Sequence, residues 1–499
     1  MLVDEFLERT AARDPDKTAV VAGNRRVTHG ELERESNQLA HALLDRGLER
    51  YDRVAIFLDN CWEAAVAIFA TLKAGGVFTV VNATTKSDRL ATVLNDCRAT
   101  AIIVDPIRKP RLDDVADRVA HLRITIGTHE LADVCAGQPA TRPRPRNIDV
   151  DLAALTYTSG STGGPKAVMM THLGMASAAS SIIEYLHNTA DDVVLDVLPL
   201  SFGYGLYQLL MMVKVGGTVV LENGFSYPHR VLELMAREGV TGFPVVPTIT
   251  AILLQMDVRK YQLPSLRYIT NAGAALPIAQ ARALRAAFPS TCIFAMYGQT
   301  ECTRVAYLPP EQLDERPTSC GVPIPNEEVW IVGEDGQEVP PGGIGELVVR
   351  GSHVMAGYWE RPGETARVLR PGRFPGERVL YTGDLFRRDA DGYLYFISRK
   401  DDIIKTRGQK VAPCEVEEVL LAMAAIAEAA VVGVPDAVLG AAVKAVVTLR
   451  PGEEATELDI RRHCADRLED FMVPRYIEIR AELPRSAHGK IAKTELVQA

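Results

Sequence analysis

The apolar positions of the N-terminal half of the chain follow two alternating periodicities. Residues 4–13 and 29–46 place leucine and phenylalanine side chains at helical spacing, whereas residues 53–58 and 101–104 are short β-branched runs typical of buried strands. Helix-like and strand-like segments continue to alternate after a proline- and arginine-rich connector at residues 141–147. This alternation predicts a largely parallel sheet architecture covered by helices.

The pattern changes twice in the C-terminal part of the chain. Residues 318–397 contain short strands separated by glycine and proline turns, which predict a small antiparallel sheet or barrel. From Ser398 onward, a charged segment leads into helices and strands, among them a strand expected at 429–434, that predict a compact α/β module of about 100 residues. We therefore expect an α/β protein with two helix-covered sheets and a small β-barrel in an N-terminal domain (1–397), and a mobile C-terminal α/β domain (398–499).

Composition narrows the classes of function. The 499 residues include 55 Lys and Arg against 64 Asp and Glu, a net charge of −9 that argues against a nucleic-acid-binding protein. The 8 cysteines form no C-x-x-C pair, so neither paired metal-ligand spacing nor a disulfide framework is expected. No signal-peptide pattern opens the chain, and no apolar run approaches the roughly 18 residues that span a bilayer. We expect a cytoplasmic protein with no membrane span.

The most informative motif is YTSGSTGGPKAV at residues 157–168. Glycines allow backbone N–H groups to surround an anion, and the hydroxyls and Lys166 add further donors, so the motif predicts a phosphate-binding loop. The spacing is not that of a P-loop ATPase, because Pro165 stands where that motif has its second glycine and a strand follows. A flexible linker is the other interpretation, which the strand-like flanks disfavour. The glycine signatures of Rossmann dehydrogenases and serine hydrolases are absent.

Four further segments are weak individually and occur in a definite order. They are AMYGQTE (295–301), YTGD (381–384), the charged segment 398–410, and PRSAHGK (484–490). Taken alone, Glu301 is typical of a surface acid, Asp384 of a turn, and Lys490 of a solvated lysine.

In this order, the motifs resemble those of the adenylate-forming superfamily, which comprises acyl-CoA synthetases, aryl-CoA ligases, peptide-synthetase adenylation domains and firefly-type luciferases. The segment LPLSFGYGL (198–206) is similar to the aromatic gate segment of that superfamily. The resemblance covers almost the whole chain, and its closest form is that of the acyl-CoA ligases. It implies that a carboxylic acid attacks the α-phosphorus of ATP, releasing pyrophosphate and forming an acyl-adenylate, from which a thiol displaces AMP. It further implies ATP, Mg²⁺ and CoA, or a phosphopantetheine carrier, as cofactors.

The resemblance assigns roles in nucleotide binding. Glu301 would bind Mg²⁺, Thr300 would contact the α-phosphate, and Asp384, assisted by Arg399, would accept hydrogen bonds from the ribose. The residues implied around the β- and γ-phosphates are Thr158, Ser159, Gly160, Ser161, Thr162, Gly163 and Lys166. Those implied around the adenine are Gly273, Ala274, Ala275, Tyr297 and Gly298.

The C-terminal roles implied by the resemblance concern the two half-reactions. Lys490 would bridge the attacking carboxylate and the α-phosphate, so that Lys490, Thr300 and Glu301 are the expected catalytic residues. Asp401 lies where the superfamily has its hinge, and Gly408 would line the passage for the CoA thiol. Two departures, Ser398 and Ala167 in place of the usual glycines, remove no catalytic group.

The acyl pocket is expected to be apolar. Gly203, which follows the gate residue Phe202, cannot hold a substrate ammonium as an aspartate would, and this disfavours an amino acid. The residues expected to line the pocket are Phe202, Gly203, Tyr204, Tyr207, Phe243, Val246, Asn271 and Met296, of which Phe243 and Val246 are equally typical of core packing. A fatty or otherwise hydrophobic acid is therefore predicted.

The acceptor of the acyl group is less closely defined. The stretch GQKVAPCEVE (408–417) resembles the form found in CoA ligases, and this favours CoA. The alternatives are transfer to a carrier protein in trans or to an amine, and a nucleotide-binding regulatory module without turnover. Either a monomer or a homodimer is compatible with the sequence, and no nucleic-acid partner is expected.

Overall fold

The computed structural model describes residues 1–159, 165–406, 409–436, 440–485 and 491–497. Within these residues, the α-helices in chain order are α1 (Glu5–Arg13), α2 (His29–Asp45), α3 (Trp62–Lys73), α4 (Ser87–Asp96), α5 (Lys109–Asp113), α6 (Leu131–Cys135), α7 (His172–Leu186), α8 (Gly203–Val215), α9 (Pro228–Glu238), α10 (Pro247–Leu254), α11 (Ile278–Ala287), α12 (Pro362–Val368), α13 (Pro413–Leu421), α14 (Glu457–Ala465) and α15 (Lys493–Val497).

The strands of the same residues, in chain order, are β1 (Thr18–Ala22), β2 (Arg25–Thr28), β3 (Arg53–Phe57), β4 (Val77–Val80), β5 (Ala99–Val104), β6 (Ile124–Gly127), β7 (Leu152–Ser159), β8 (Pro165–Thr171), β9 (Val193–Asp196), β10 (Thr218–Leu221), β11 (Gly242–Val245), β12 (Tyr268–Asn271), β13 (Cys292–Tyr297), β14 (Ala306–Tyr307), β15 (Val322–Pro323), β16 (Glu327–Val332), β17 (Ile344–Gly351), β18 (Gly357–Tyr358), β19 (Leu369–Pro371), β20 (Arg378–Arg388), β21 (Leu394–Arg399), β22 (Ile404–Thr406), β23 (Gln409–Val411), β24 (Ile426–Asp436), β25 (Gly440–Leu449) and β26 (Tyr476–Ile479).

Two large sheets contain the N-terminal strands. One has the order β15-β14-β13-β12-β11-β9-β10-β1-β2, and the other has the order β18-β8-β7-β4-β3-β5-β6. Strands β13, β12, β11, β9, β10 and β1 run parallel to one another, as do β4, β3, β5 and β6. The edge strands β14 and β2 are antiparallel to β13 and β1, and β7 and β8 form an antiparallel hairpin. Because parallel strands need crossover connections, helices lie between them in the sequence.

The local sequence explains how these elements form. Helix α2 begins with a capping box in which Thr28 and Glu31 satisfy each other's backbone N–H groups. Strand β5 has the sequence ATAIIV and is buried at every position, as expected for a central parallel strand. Helix α3 is buried from Ala64 to Lys73, and the Lys73 ammonium is paired with Glu33 of α2 at 2.7 Å. A charge buried to this extent requires such a partner.

Two smaller sheets contain the C-terminal strands. The first has the order β16-β17-β20-β19, with β21 also paired to β20, and it occupies the region where the sequence predicted a small antiparallel sheet or barrel. The second has the order β23-β22-β25-β24, with β26 paired to β25, and α13 and α14 pack against its apolar side chains. The predicted α/β class, with two helix-covered sheets and additional smaller sheets, is confirmed.

The chain packs into two compact units whose boundaries lie within strands. The first unit contains Met1–Glu328 and Val349–Leu380, and the second contains Val329–Val348 and Tyr381–Ala499. In the described part of the chain, no helix combines the length and apolar character needed to cross a membrane.

Candidate nucleotide and acyl site

The carboxyl ends of β11, β12 and β13 lie at one edge of the nine-stranded sheet, because the three strands are parallel and in register. Val245 pairs with Asn271, and Asn271 pairs with Ala295. The exposed loop 273–275 follows β12, and the YGQTE motif begins at the end of β13. Crevices at the carboxyl ends of parallel strands are the usual ligand sites of open α/β sheets.

Two glycines shape this edge. Gly273 has a φ of +87°, and its loop is held by a hydrogen bond from Asn271 Nδ2 to the Ala274 carbonyl at 3.0 Å. A Cβ at Gly298 would lie 2.5 Å from the Thr303 carbonyl oxygen, because the chain folds back against the YGQTE turn. Neither loop could keep this path with a larger residue at the glycine position.

Glu301 is held at the end of this turn by partners distant in sequence. The Tyr358 hydroxyl donates a hydrogen bond to Glu301 Oε1 at 2.7 Å, and the Met355 N–H donates to the Glu301 carbonyl at 2.8 Å. Mg²⁺ in nucleotide sites is commonly bound through one or two carboxylates together with phosphate oxygens. The Glu301 carboxylate is therefore a suitable ligand for Mg²⁺, and the neighbouring Thr300 hydroxyl is a suitable hydrogen-bond donor to a phosphate oxygen.

Lys166 completes what we call the Lys166 cluster, made of Lys166, Glu301, Tyr358 and Glu364. Strand β8 carries Lys166 and pairs with β18, which carries Tyr358, so that the ammonium lies 5.6 Å from the centroid of the Tyr358 ring. Lys166 Nζ is also 2.5 Å from Glu364 Oε2, and this contact lowers the pKa of Glu364. The lysine expected to bind phosphate is thus paired with a carboxylate.

The second compact unit holds the Asp384 cluster, made of Asp384, Arg399, Glu346 and Lys400. Asp384 of β20 and Arg399 of β21 are register partners, with 3.2 Å between Arg399 Nε and Asp384 Oδ1. Glu346, which is 8% exposed, accepts from the Gly383 N–H at 3.0 Å and is paired with Lys400 at 2.9 Å. Glu346 therefore fixes the residues on either side of the Asp384–Arg399 pair.

The residues expected around the acyl group surround the start of α8. Phe202 is the N-cap residue of α8, and a Cβ at Gly203 would meet no atom within 4 Å, whereas one at Gly205 would lie 2.6 Å from the Pro199 carbonyl oxygen. The Tyr204 hydroxyl is 2.6 Å from Thr270 Oγ1, and the Tyr207 hydroxyl accepts from Thr303 Oγ1 at 3.3 Å. Of these two glycines of α8, only Gly203 therefore has open space beside its Cα.

The remaining pocket candidates are buried to different extents. Met296 is 8% exposed, and its sulfur accepts from the Tyr185 hydroxyl at 3.0 Å. Phe243 is 1% exposed and packs against Phe225, an environment typical of core packing. Asn271 is also buried. Burial and the loss of hydration raise the pKa values of Tyr204 and Tyr207, so both phenols stay protonated at neutral pH.

Several predicted site residues lie outside the described residues, namely Gly160, Ser161, Thr162, Gly163, Gly408 and Lys490. Thr158 and Lys166 are register partners at the base of the β7–β8 hairpin, as are Ser159 and Pro165. Asp401 is exposed in the turn that follows β21.

Sequence reasoning missed four residues that contact the predicted ones, namely Tyr358, Glu364, Glu346 and Arg304. Tyr358 and Glu364 meet Glu301 and Lys166 across long stretches of chain, and Glu346 meets the YTGD turn from a different strand. The Arg304 guanidinium lies 5.2 Å from the centroid of the Tyr204 ring. Only Arg304 had a local signal, since it stands three residues after Glu301.

Comparison with known proteins gives two family matches. Residues 7–359 match the AMP-binding enzyme family, and residues 415–490 match the C-terminal domain of AMP-binding enzymes. The chain is 30% identical to a long-chain-fatty-acid–CoA ligase of Bacillus subtilis (strain 168), over 99% of this chain and 94% of that protein. It is 34% identical to a feruloyl-CoA synthase of an Amycolatopsis species, over 98% and 97% of the two chains. The crystal structure of ATP-bound MatB from Rhodopseudomonas palustris superposes with a TM-score of 0.91 at 29% identity, covering 100% of this chain and 99% of that one.

Proposed function

The chain belongs to the AMP-binding enzyme family as an AMP-forming acyl-CoA ligase family member, and from that premise we propose that it is an ATP-dependent acid–thiol ligase. It activates a hydrophobic carboxylic acid as an acyl-adenylate with release of pyrophosphate, and then transfers the acyl group to CoA. The observation that carries this proposal is the convergence of Lys166, Glu301 and Tyr358 in the Lys166 cluster.

The charge of the reactants explains why such a cluster is needed. A carboxylate and the α-phosphate of ATP are both anionic, so the protein must neutralise charge and align the attack. The Lys166 ammonium binds phosphate oxygens after leaving Glu364, and Mg²⁺ bound by Glu301 would supply further positive charge to the phosphates. At an effective dielectric near 20, one unit-charge pair about 4 Å apart contributes about 4 kcal/mol.

Asp384 and Arg399 are proposed to bind the ribose of the nucleotide. Asp384 is 6% exposed, and its strand register with Arg399 keeps the carboxylate in a fixed orientation. A preorganised acceptor of this kind strengthens hydrogen bonds from the two ribose hydroxyls. The loop 273–275 with Tyr297 and Gly298 is the proposed adenine contact.

The second half-reaction is proposed to follow a rotation of the C-terminal domain (398–499) about Asp401. Lys490 would serve adenylation and the Gly408 side would serve thiolysis, as the family resemblance implies. The exposure of Asp401 in a turn agrees with a hinge, since hinge residues must change φ and ψ freely.

The experiment that tests the proposed function is a screen of carboxylic acids by pyrophosphate release, with and without CoA. We expect release that depends on the acid, on ATP and on Mg²⁺, and formation of a thioester when CoA is present. Lys490→Ala should slow adenylation by at least roughly 10²-fold while sparing thiolysis of a supplied acyl-adenylate.

Three results of this screen would change the proposal. Pyrophosphate release without thioester formation would favour the alternative acceptors, a carrier protein or an amine. ATP binding without acid-dependent release would indicate a nucleotide-binding regulatory module. Equal loss of both half-reactions in Lys490→Ala would contradict a role confined to adenylation.

A further inference from the structure

Arg304 is a buried arginine for which the described residues provide no anionic partner. Arg304 is 4% exposed, and its Nε has no hydrogen-bond partner among the described residues. Within the described part of the chain, no carboxylate oxygen lies within 4.0 Å of its guanidinium nitrogens. The nearby acid Glu301 instead accepts from Tyr358.

The other buried arginine of the described chain shows how this protein normally accommodates such a charge. Arg108 is 7% exposed, and its guanidinium is paired with both Asp59 and Asp105. Burying an ionised group is unfavourable unless an opposite charge or several hydrogen bonds replace water. Arg304 differs from Arg108 in this respect, because within the described chain its guanidinium contacts the Tyr204 ring and the Tyr185 hydroxyl and no carboxylate.

The surroundings of Arg304 are those of the proposed acyl pocket. Its guanidinium faces the Tyr204 ring, and the preceding residue, Thr303, is hydrogen-bonded to the Tyr207 hydroxyl. Burial raises the pKa of Tyr185 to about 12, and the nearby positive charge of Arg304 opposes that shift. A cation–π contact with one ring offsets only part of the unfavourable free energy of burying the charge.

Buried acids elsewhere in the first unit do not supply the missing charge. The buried Asp196 accepts a hydrogen bond from the Leu198 N–H, and the buried Glu327 lies 2.8 Å from His353 Nε2, so both carboxyl groups have other partners. Since no carboxylate of the described residues lies within 4.0 Å of the Arg304 guanidinium, a bound ligand is a natural source of the missing negative charge.

We propose that Arg304 determines substrate specificity by pairing with a second anionic group, a carboxylate, on the acid that is activated. The inference rests on the proposed function, because it assigns a place to the substrate of that reaction. The substrate would then be a dicarboxylic acid with an apolar body, in which one carboxylate is adenylated and the other contacts Arg304. The apolar body of the substrate would pack against the aromatic side chains of the pocket, and its distal carboxylate would form charge-assisted hydrogen bonds with the Arg304 guanidinium.

The experiment compares matched pairs of acids in the pyrophosphate-release assay. The straight-chain dicarboxylic acids from succinic to dodecanedioic acid are set against the monocarboxylic acids of the same carbon number, and terephthalic acid against p-toluic acid. We expect the wild-type protein to favour the diacid in at least one pair, and Arg304→Met to reduce the diacid-to-monoacid ratio of kcat/KM by at least about tenfold. Arg285→Met is the matched control, since Arg285 is 43% exposed and should leave the ratio unchanged.

A second measurement tests the binding of the distal carboxylate without relying on enzyme activity or on a single variant that could fail to fold. The melting temperature of the wild-type protein, measured with AMP and each acid, should rise more with the diacid than with its monoacid partner, and Arg304→Lys should retain more of this difference than Arg304→Met. A monoacid preference in every pair, with a ratio unaffected by Arg304→Met, would overturn the inference and leave the proposed function standing. If no acid releases pyrophosphate, the proposed function fails, and a diacid-specific, Arg304-dependent rise in melting temperature decides the inference alone.

Discussion

The Lys166 cluster and the Asp384 cluster hold their charged groups by different means. In the Asp384 cluster, the pairing of β20 with β21 sets Asp384 opposite Arg399, and the buried Glu346 fixes the neighbouring backbone. In the Lys166 cluster, side chains from separate strands and a helix meet, and the ammonium is paired with Glu364. In the proposed function, the first arrangement would accept the ribose without rearrangement, whereas Lys166 would have to exchange Glu364 for phosphate.

The same contrast extends to the interiors of the two units. The first unit buries three histidines, His29, His172 and His353, whose pKa values are lowered to about 4 by burial. In the described part of the second unit, His463 is only partly buried. Burial thus holds these three histidines of the first unit in the neutral form, whereas the charged groups of the Asp384 cluster are held by pairing.

The largest expected effect tests the Lys166 cluster. Glu301→Gln should reduce the rate of pyrophosphate release by about 10²- to 10³-fold, because the amide cannot replace the charge of a carboxylate toward Mg²⁺ and phosphate. Tyr358→Phe, which removes only the hydrogen bond to Glu301, should reduce it by about tenfold or less. Steady-state kinetics with saturating acid measures both, and equal effects of the two variants would contradict the role assigned to Glu301.

The next effect concerns acid stability of the first unit. A histidine whose pKa is lowered from 6.5 to about 4 in the folded state does not change the stability at neutral pH, because it is mostly neutral in both states there. As the pH falls from 6.5 toward 4, the unfolded chain binds the proton and the folded state does not, so the folded state loses stability. Each such histidine should lower the free energy of unfolding by about 2 kcal/mol between about pH 7 and about pH 5.

His172→Gln isolates this contribution, because glutamine can still accept from the Val3 N–H that now donates to His172 Nδ1. Urea unfolding of the wild type and the variant at the two pH values measures the difference. Hydrogen exchange should show that protection is lost first in the first unit. An unchanged pH dependence in the variant would mean that His172 is not neutral in the folded protein.

A smaller effect tests the preorganisation of the Asp384 cluster. Asp384→Asn should raise the KM for ATP by about tenfold, since it weakens both the ribose hydrogen bonds and the pairing with Arg399. Glu346→Gln should raise it by about threefold, because the amide oxygen can still accept from Gly383 and only the exposed Lys400 loses its partner. A larger effect on kcat than on KM in either variant would argue against a binding role.

The smallest effect has the opposite sign. Glu364→Gln should lower the KM for ATP by about threefold, because Lys166 no longer has to leave a carboxylate before binding phosphate. Glu360→Gln, in the same segment, removes an exposed partner of Arg98 and should leave the KM unchanged. If Glu364→Gln raises the KM, then Glu364 positions Lys166 instead of competing for it.

Much of the fold followed from hydrophobic periodicity. The runs at residues 53–58 and 101–104 correspond to β3 (Arg53–Phe57) and β5 (Ala99–Val104), and the pattern at 29–46 corresponds to α2 (His29–Asp45). The ends of helices and strands were predicted less accurately. For example, the strand expected at 429–434 extends over Ile426–Asp436 in β24. Pairing with β25 along its whole length lengthens this strand, and no local pattern reports that pairing.

The sequence likewise predicted some residues of the candidate site and missed others. Ordered motifs located Lys166, Glu301, Asp384 and Arg399, because phosphate and ribose binding require particular residue types within a few positions of a glycine turn. The partners of these residues were not found, because Tyr358 lies 57 positions from Glu301 and Glu346 lies 37 positions from Gly383. The roles of Lys166, Glu301, Asp384 and Arg399 stay predictions, as do those of Lys490, Gly408 and the hinge at Asp401.

The sequence by itself determined the α/β class and the family, and it predicted the residue types proposed to bind the nucleotide, since these depend on local periodicity and short motifs. Only the tertiary structure decided that Lys166 is paired with Glu364, that Glu346 supports the YTGD turn, and that Arg304 is buried with no carboxylate partner among the described residues. The physical reason is that the strength of a charge depends on its burial and on its nearest opposite charge. Both are set by strand pairing and side-chain packing between distant parts of the chain.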